Sequence, residues 1–309
     1  MSVPVVYSPR YQRSGLVHFE RFEWLHRQAL AEGLVQVNEP QPLDLEDLRG
    51  FHADDYLDAM RTGARPLAQS SYLPWSEGLL DTCLAMLGGQ LHAADLALGN
   101  GMAFNLACGF HHAFPERGGG FCVFNGLALV AAKRPELQVT VLDCDEHGGD
   151  GTEAFCARLD NLSAISIFGT RFGIRGGINS LAFNVPNEEG EARDPGFLDS
   201  LDQALDLILQ QKPDLVLYQA SADSHIEDPR ATLKLSTATL RLRDQRVLSA
   251  LRWARIPVLV TLAGGYQQPE RTGALYLQTL RVANEVLSCR IPRVNPIHSG
   301  RRRPGTESD

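Results

Sequence analysis

The sequence predicts an α/β fold: a single domain built on a parallel sheet flanked by helices on both faces. Three observations lead there. Short β-rich runs alternate with helical faces through the second half of the chain. Several of these runs end in segments that carry unusual reactive residues. No repeat, low-complexity block or linker interrupts residues 1–289.

Taken in order, helices are expected at Phe19–Glu32, Asp54–Thr62 and Glu77–Leu98. Val139–Leu142 is a run of β-formers ending at Asp143, and Ser163–Phe168 is another. Phe197–Gln211 has apolar residues at 198, 201, 205 and 208, the spacing of one helical face. Lys212-Pro213 stops that helix, and Asp214–Gln219 (DLVLYQ) reads as a buried strand. A helix from about Leu240 to Ala254 follows, then a strand at Pro257–Leu262, a turn at Ala263-Gly264-Gly265 and a helix at Arg271–Leu287. This βαβαβ order requires parallel strands joined by crossover helices.

Composition bounds the function. The chain has 309 residues, 44% apolar and 21% charged, which excludes disordered, collagen-like and small disulfide-stapled classes. A net charge of -8 opposes dedicated nucleic-acid binding, which rests on neutralising phosphates. No apolar run approaches the ~18 residues of a membrane span, and Met1–Gly15 does not read as a signal peptide. The six cysteines form no CxxC pair, which fits reduced thiols and a cytoplasmic location. Residues 290–309 stand apart as a tail with five Arg, three Pro and two acids. Its net charge is +3, so the body carries -11, and the tail reads as a partly mobile terminus.

Ligands of parallel α/β sheets bind beyond the carboxyl ends of the strands, which makes a filter for reactive residues. Asp143-Cys144-Asp145-Glu146-His147-Gly148-Gly149-Asp150 follows one predicted strand, Ala220-Ser221-Ala222-Asp223 a second, and Ala263-Gly264-Gly265-Tyr266 a third. A fourth segment holds His111-His112 and then Gly118-Gly119-Gly120-Phe121-Cys122. Asp145 and His147 are two apart, so in extended chain they share a side, and Asp223 can supply a third ligand. An Asp/His/Asp set leaves a coordination position open, as catalytic sites do. Zinc suits these mixed donors, and iron and manganese suit the same ligand types. Alone, D-x-H is an ordinary turn; the glycine-rich surroundings and the distant third carboxylate change that reading. The adjacent imidazoles of His111 and His112 offer a base and an acid, with Asp143 and Asp150 available to hold them. The Tyr266 phenol can donate to an oxyanion.

In order and spacing, H-H-A, G-G-G-F-C, D-x-D-x-H-x-G-D-G-T, Q-A-x-A-D-x-x-x-x-D-P and G-G-Y resemble the histone deacetylase family, over roughly residues 1–285. The G-G-G-F-C form and the absence of a second His after His147 are most similar to class IV and its bacterial relatives. The resemblance implies the zinc-dependent arginase/deacetylase fold, with residues 1–289 as the deacetylase domain. It implies Asp145, His147 and Asp223 as ligands of one catalytic zinc. His112 would then be general base and acid, supported by Asp150. His111 would be its electrostatic partner, supported by Asp143, and Tyr266 would polarise the carbonyl. Gly120 and Phe121 would line the acyl channel, and Asp54 would grip the substrate backbone. Asp143, Asp145, His147, Ser166 and Ile167 would form a structural potassium site. The implied activity is hydrolysis of acylated amines, acyl-lysine in proteins or peptides first, with long acyl chains as a further option. The alternatives are an acetylpolyamine-type small-molecule deacetylase and a catalytically silent acyl-lysine-binding protein. A dimanganese ureohydrolase of the same fold ranks lower, since Tyr266 would have no role in it.

The chain also departs from that family. Gly148, Ser221 and Phe168 replace His or Gln, Gly and His. Arg230, in D-P-R-A, replaces an apolar residue at the pocket mouth, where it would disfavour polyamines and favour an acidic group on the acyl chain or near the amide. The remaining histidines, His18, His26, His52, His92 and His298, read as surface or helix-packing residues, and His225 as a rim position.

Overall fold

The computed structural model describes residues 2–185 and 194–289; the tail at 290–309 lies outside them. The described elements are β1 (Val3–Val6), α1 (Val17–Ala31), β2 (Val35–Asn38), α2 (Asp54–Thr62), α3 (Glu77–Asn100), β3 (Met102–Cys108), α4 (Gly126–Ala132) and β4 (Val139–Asp143). They continue with α5 (Asp150–Cys156), β5 (Leu162–Phe168), β6 (Ser180–Asn184), α6 (Asp194–Gln211), β7 (Leu215–Gln219), α7 (Thr237–Ala254), β8 (Val258–Leu262) and α8 (Pro269–Ser288). The strands form one eight-stranded sheet in the order β2-β1-β3-β8-β7-β4-β5-β6, and every pairing is parallel.

The expected parallel sheet is thus present, and the predicted strands and helices fall within a few residues of their expected bounds. The face of α6 is rotated slightly: Phe197, not Leu198, heads the buried stripe with Leu201, Leu205 and Ile208. Four strands and two helices were not foreseen. β1 (VPVV) and β2 (VQVN) are only four residues long, and β1 contains a proline. β3 (MAFNLAC) mixes alanine and asparagine into a fully internal strand, and β6 (SLAFN) is half exposed at the sheet edge. α4 and α5 are each seven residues, too short for a helical period to declare itself.

The central strands are apolar because both faces are covered. In β7, Leu215 and Leu217 pack with Ala128 and Ala131 of α4. The alternate residues, Val216 and Tyr218, pack on the other face with Leu205 of α6 and Leu248 of α7. Each such aliphatic side chain contributes about 1.5–3 kcal/mol through burial, so the middle of the sheet is its most rigidly held part. Register then fixes the site. Asp143 pairs with Gln219, and Gln219 with Thr261, so the chain leaves β4, β7 and β8 at one level. β3 pairs with β8 on the other side, with a register shift between Asn105 and Cys108. The four reactive segments therefore emerge from four adjacent strands.

Candidate active site

The centre of the site is an acidic pair with one imidazole. Among the described residues, Asp145, His147 and Asp223 form the one group whose candidate ligand atoms all lie within 4.8 Å of one another. His147 Nδ1 lies 3.2 Å from Asp145 Oδ1 and 3.3 Å from Asp223 Oδ2. The outer atoms of both carboxylates are fixed from outside the group. Asp223 Oδ1 accepts hydrogen bonds from Ser221 Oγ at 2.6 Å and Glu146 N at 2.9 Å. Asp145 Oδ2 accepts from Gly264 N at 3.2 Å. Asp223 Oδ2 is buried without a hydrogen-bond partner. Such an orphaned anionic oxygen is costly in a protein interior and points to a cation held there. Burial opposes a charge on His147, yet its hydrogen bond to Asp145 and the nearby Asp223 carboxylate push it up to about 11. Two buried carboxylates thus demand positive charge between them, and the donor set fits a divalent metal. Gly264 makes room for this: a Cβ there would lie 2.1 Å from Asp223 Oδ2.

Two buried imidazoles stand beside the group, each backed by its own carboxylate. His111 Nδ1 lies 2.7 Å from Asp143 Oδ2, and His112 Nδ1 lies 2.7 Å from Asp150 Oδ1. Their rings are 3.9 Å apart, so both cannot readily be charged. Burial opposes charge on His111, but Asp143 and Asp145 outweigh it and push it up to about 9. Burial, reinforced by His111, holds His112 well below the usual imidazole value. Burial lifts Asp150 to about 6. At neutral pH the outer imidazole is therefore a neutral base whose Nδ1–H is held by an ionised Asp150, leaving Nε2 free. Gly120 lets that ring pack closely, since a Cβ there would lie 2.4 Å from His112 Cδ2.

A cavity joins these groups. Its walls include His111, His112, Asp145, His147, Gly120, Phe121 and Tyr266. Burial, then the charge of Asp223, lifts the Tyr266 phenol well above its ordinary value, so it stays protonated and able to donate. Arg230 is not a wall, but its guanidinium lies over the rings of Tyr266 and Phe121. Ser166 is the strand partner of Asp143, and Ile167 is buried next to it. Asp54 is not brought to the cavity walls: it is exposed at the start of α2 and pairs with Arg49 at 2.6 Å.

Other groups escaped the sequence reading. His18 is a cavity wall, edge-on to Tyr266 with centroids 5.6 Å apart. Arg21, one turn on, is buried in the same wall, and its Nη2 donates to Ala263 O at 2.6 Å. A signal existed, since Arg21 interrupts the apolar stripe Phe22, Leu25 and Ala29 of α1. Cys108 lines the same cavity, and the Phe172 ring centroid lies 4.2 Å from that of His112. His52 is neither at the surface nor packed on a helix face alone. It is 2% exposed, in a nest with Phe51, Phe124 and Phe155. His225 is buried rather than on the rim, with Nε2 2.8 Å from Thr237 Oγ1.

This architecture is that of the arginase/deacetylase fold, with the candidate site at the carboxyl ends of its central strands. More narrowly, the chain belongs to the histone deacetylase family, whose histone deacetylase domain matches residues 17–282. It is 35% identical over 281 residues to an uncharacterized protein of Picosynechococcus, covering 86% of this chain and 93% of that one. Histone deacetylase 2 of Arabidopsis thaliana is 28% identical over 292 residues, covering 86% of this chain and 75% of the plant protein. An acetylpolyamine aminohydrolase from Burkholderia pseudomallei shares the fold at a TM-score of 0.77 and 20% identity, over 92% of this chain and 99% of the other. No helix among the described residues is long and apolar enough to cross a membrane.

Proposed function

We propose that the protein is a zinc-dependent amidohydrolase that removes acyl groups from acylated amines, with acyl-lysine as its first substrate class. The observation that carries this reading is the Asp145, His147 and Asp223 group, with ligand atoms within 4.8 Å, two of whose members, Asp145 and His147, line one cavity with His112 and Tyr266. Those three residues would hold the zinc, which when bound polarises a carbonyl and lowers the pKa of water. The chain's own groups do the rest. Tyr266 donates a hydrogen bond from its phenol to the amide carbonyl oxygen and stabilises the negative charge that develops there. His112 takes a proton from the attacking water at Nε2, while Asp150 keeps its Nδ1–H oriented. It returns that proton to the amine nitrogen as the C–N bond breaks. His111, braced by Asp143, adds positive charge beside the oxyanion. Phe121 and Gly120 border the path of the acylated side chain. Asp143, Asp145, His147, Ser166 and Ile167 would hold a structural potassium ion beside the zinc group.

The test is an acyl-chain panel on one lysine peptide, from acetyl to myristoyl with succinyl included, using metal-loaded protein. Turnover of at least one member is expected. Binding without turnover of any would leave the silent acyl-lysine-binding alternative instead.

A further inference from the structure

Resting on the deacylase reading, we propose that Arg230 selects substrates carrying a carboxylate on the amine side of the scissile bond. The position of its side chain is set from two directions. Arg230 N donates to Asp228 Oδ1 at 2.9 Å, and Tyr266 N donates to Asp228 Oδ2 at 2.7 Å. One buried carboxylate thus ties Arg230 to Tyr266. The guanidinium carbon then lies 4.5 Å from the Tyr266 ring centroid and 5.1 Å from that of Phe121. The two rings are 6.1 Å apart, and both are cavity walls. Stacking of this kind fixes the plane of a guanidinium while leaving its N–H edges free.

Those edges have nothing to bind among the described residues. Among the described residues, the Arg230 guanidinium has neither a carboxylate within salt-bridge reach nor a hydrogen-bond acceptor, whereas Arg10, Arg49, Arg61, Arg246 and Arg281 each have an acidic partner. An exposed cation held by two aromatic rings, its donors unused, is built to meet an anion from outside.

Depth says which part of a substrate it meets. The carbonyl must reach the buried end, between Asp145, His147 and the Tyr266 phenol. The same cavity is also lined by the buried Phe19 and Arg21 and by Cys108, and this buried side is the one we give to the acyl group. Arg230 is exposed on the outer faces of the rings, so it faces what carries the amine. A second ammonium there would be repelled, although the protein as a whole is acidic. The chemistry recognised is a carboxylate close to the amine, supplied either by an acidic residue flanking acyl-lysine or by the α-carboxylate of a free acylated amino acid.

The experiment compares kcat/KM for three acetyl-lysine peptides that differ only in a flanking Glu, Gln or Lys, and for free Nε-acetyl-lysine against its α-amide. Metal-loaded wild type, Arg230→Gln, Arg230→Lys and Arg230→Glu are measured at low and high salt. In the wild type the Glu peptide should exceed the Lys peptide by about tenfold at low salt, less at high salt. That ratio should collapse to within about twofold in Arg230→Gln, persist in part in Arg230→Lys and reverse in Arg230→Glu. A preference for the free amino acid over its amide would assign the carboxylate to a small molecule, and a preference confined to the Glu peptide would assign it to a protein segment. A wild-type ratio near one, or one unchanged in Arg230→Gln, overturns the proposal. Fluorescence anisotropy on the same peptides reads the charge preference without turnover. Discrimination in binding with no hydrolysis would therefore sink the deacylase reading alone.

Discussion

Two regions of this molecule bury histidine, and they treat it in opposite ways. His112 lies in the cavity with Asp150 2.7 Å from Nδ1, and His111 has Asp143 at the same distance. His52 lies in an aromatic nest with no carboxylate on either nitrogen. Its Nδ1 faces Pro115 O at 3.2 Å, and its Nε2 accepts from Asn125 N at 3.3 Å. These partners fix a neutral tautomer and leave no place for a second proton. Burial accordingly depresses His52 to about 4. Burial alone therefore says nothing about function. An ionisable partner converts a packed imidazole into a proton carrier.

The contrast can be broken at its strongest point first. His112→Ala should lower turnover of an acetyl-lysine peptide by about 10³-fold, and Asp150→Asn by roughly 10²-fold, with metal content retained in both. Activity of the wild type should be flat near neutrality and fall as the pH drops through about 6, where Asp150 takes up a proton. A pH–rate profile centred near 7 would contradict the account of this pair.

At the other region the expected effect is on stability. The folded-state value of His52 lies below the ordinary 6.5, so the folded protein binds its proton less readily than the unfolded chain. The stability this represents is fully present above about 6.5 and is lost as the pH falls towards about 4. It amounts to about 3 kcal/mol. His52→Phe removes that slope, at a cost of about 1–3 kcal/mol for the acceptor lost to Asn125 N. Urea unfolding at pH 7 and pH 5 measures the cost of the substitution and about 2 kcal/mol of the pH-dependent loss. Turnover per folded molecule should stay within about twofold of wild type, and a large loss would mean that the nest takes part in the chemistry.

Most of the site was legible because its chemistry requires unusual residues at strand ends. Asp145, His147, His112 and Tyr266 stand in glycine-rich segments and Asp223 in a short polar one, all after apolar runs, and the parallel sheet brings such segments together. The fold was less legible where the chain is short or internal. β3 carries the His pair to the site, yet its alanines and asparagine hide it. One wall of the cavity was missed for another reason. His18 and Arg21 come from α1, far from every motif, and only contact across the fold assigns them to the site. Asp54 shows the converse: a resemblance drew it to the substrate, while its nearest partner is Arg49 on the surface.

The central claim is that a metal held by Asp145, His147 and Asp223 makes this cavity an amidohydrolase. Stepwise addition of zinc to metal-free protein, with hydrolysis of the best acyl-lysine peptide followed at each step, tests it most directly. The account predicts no turnover without metal and a rate that rises linearly to saturate at one equivalent per chain. Full turnover by the metal-free protein, or none at one bound equivalent, would contradict it.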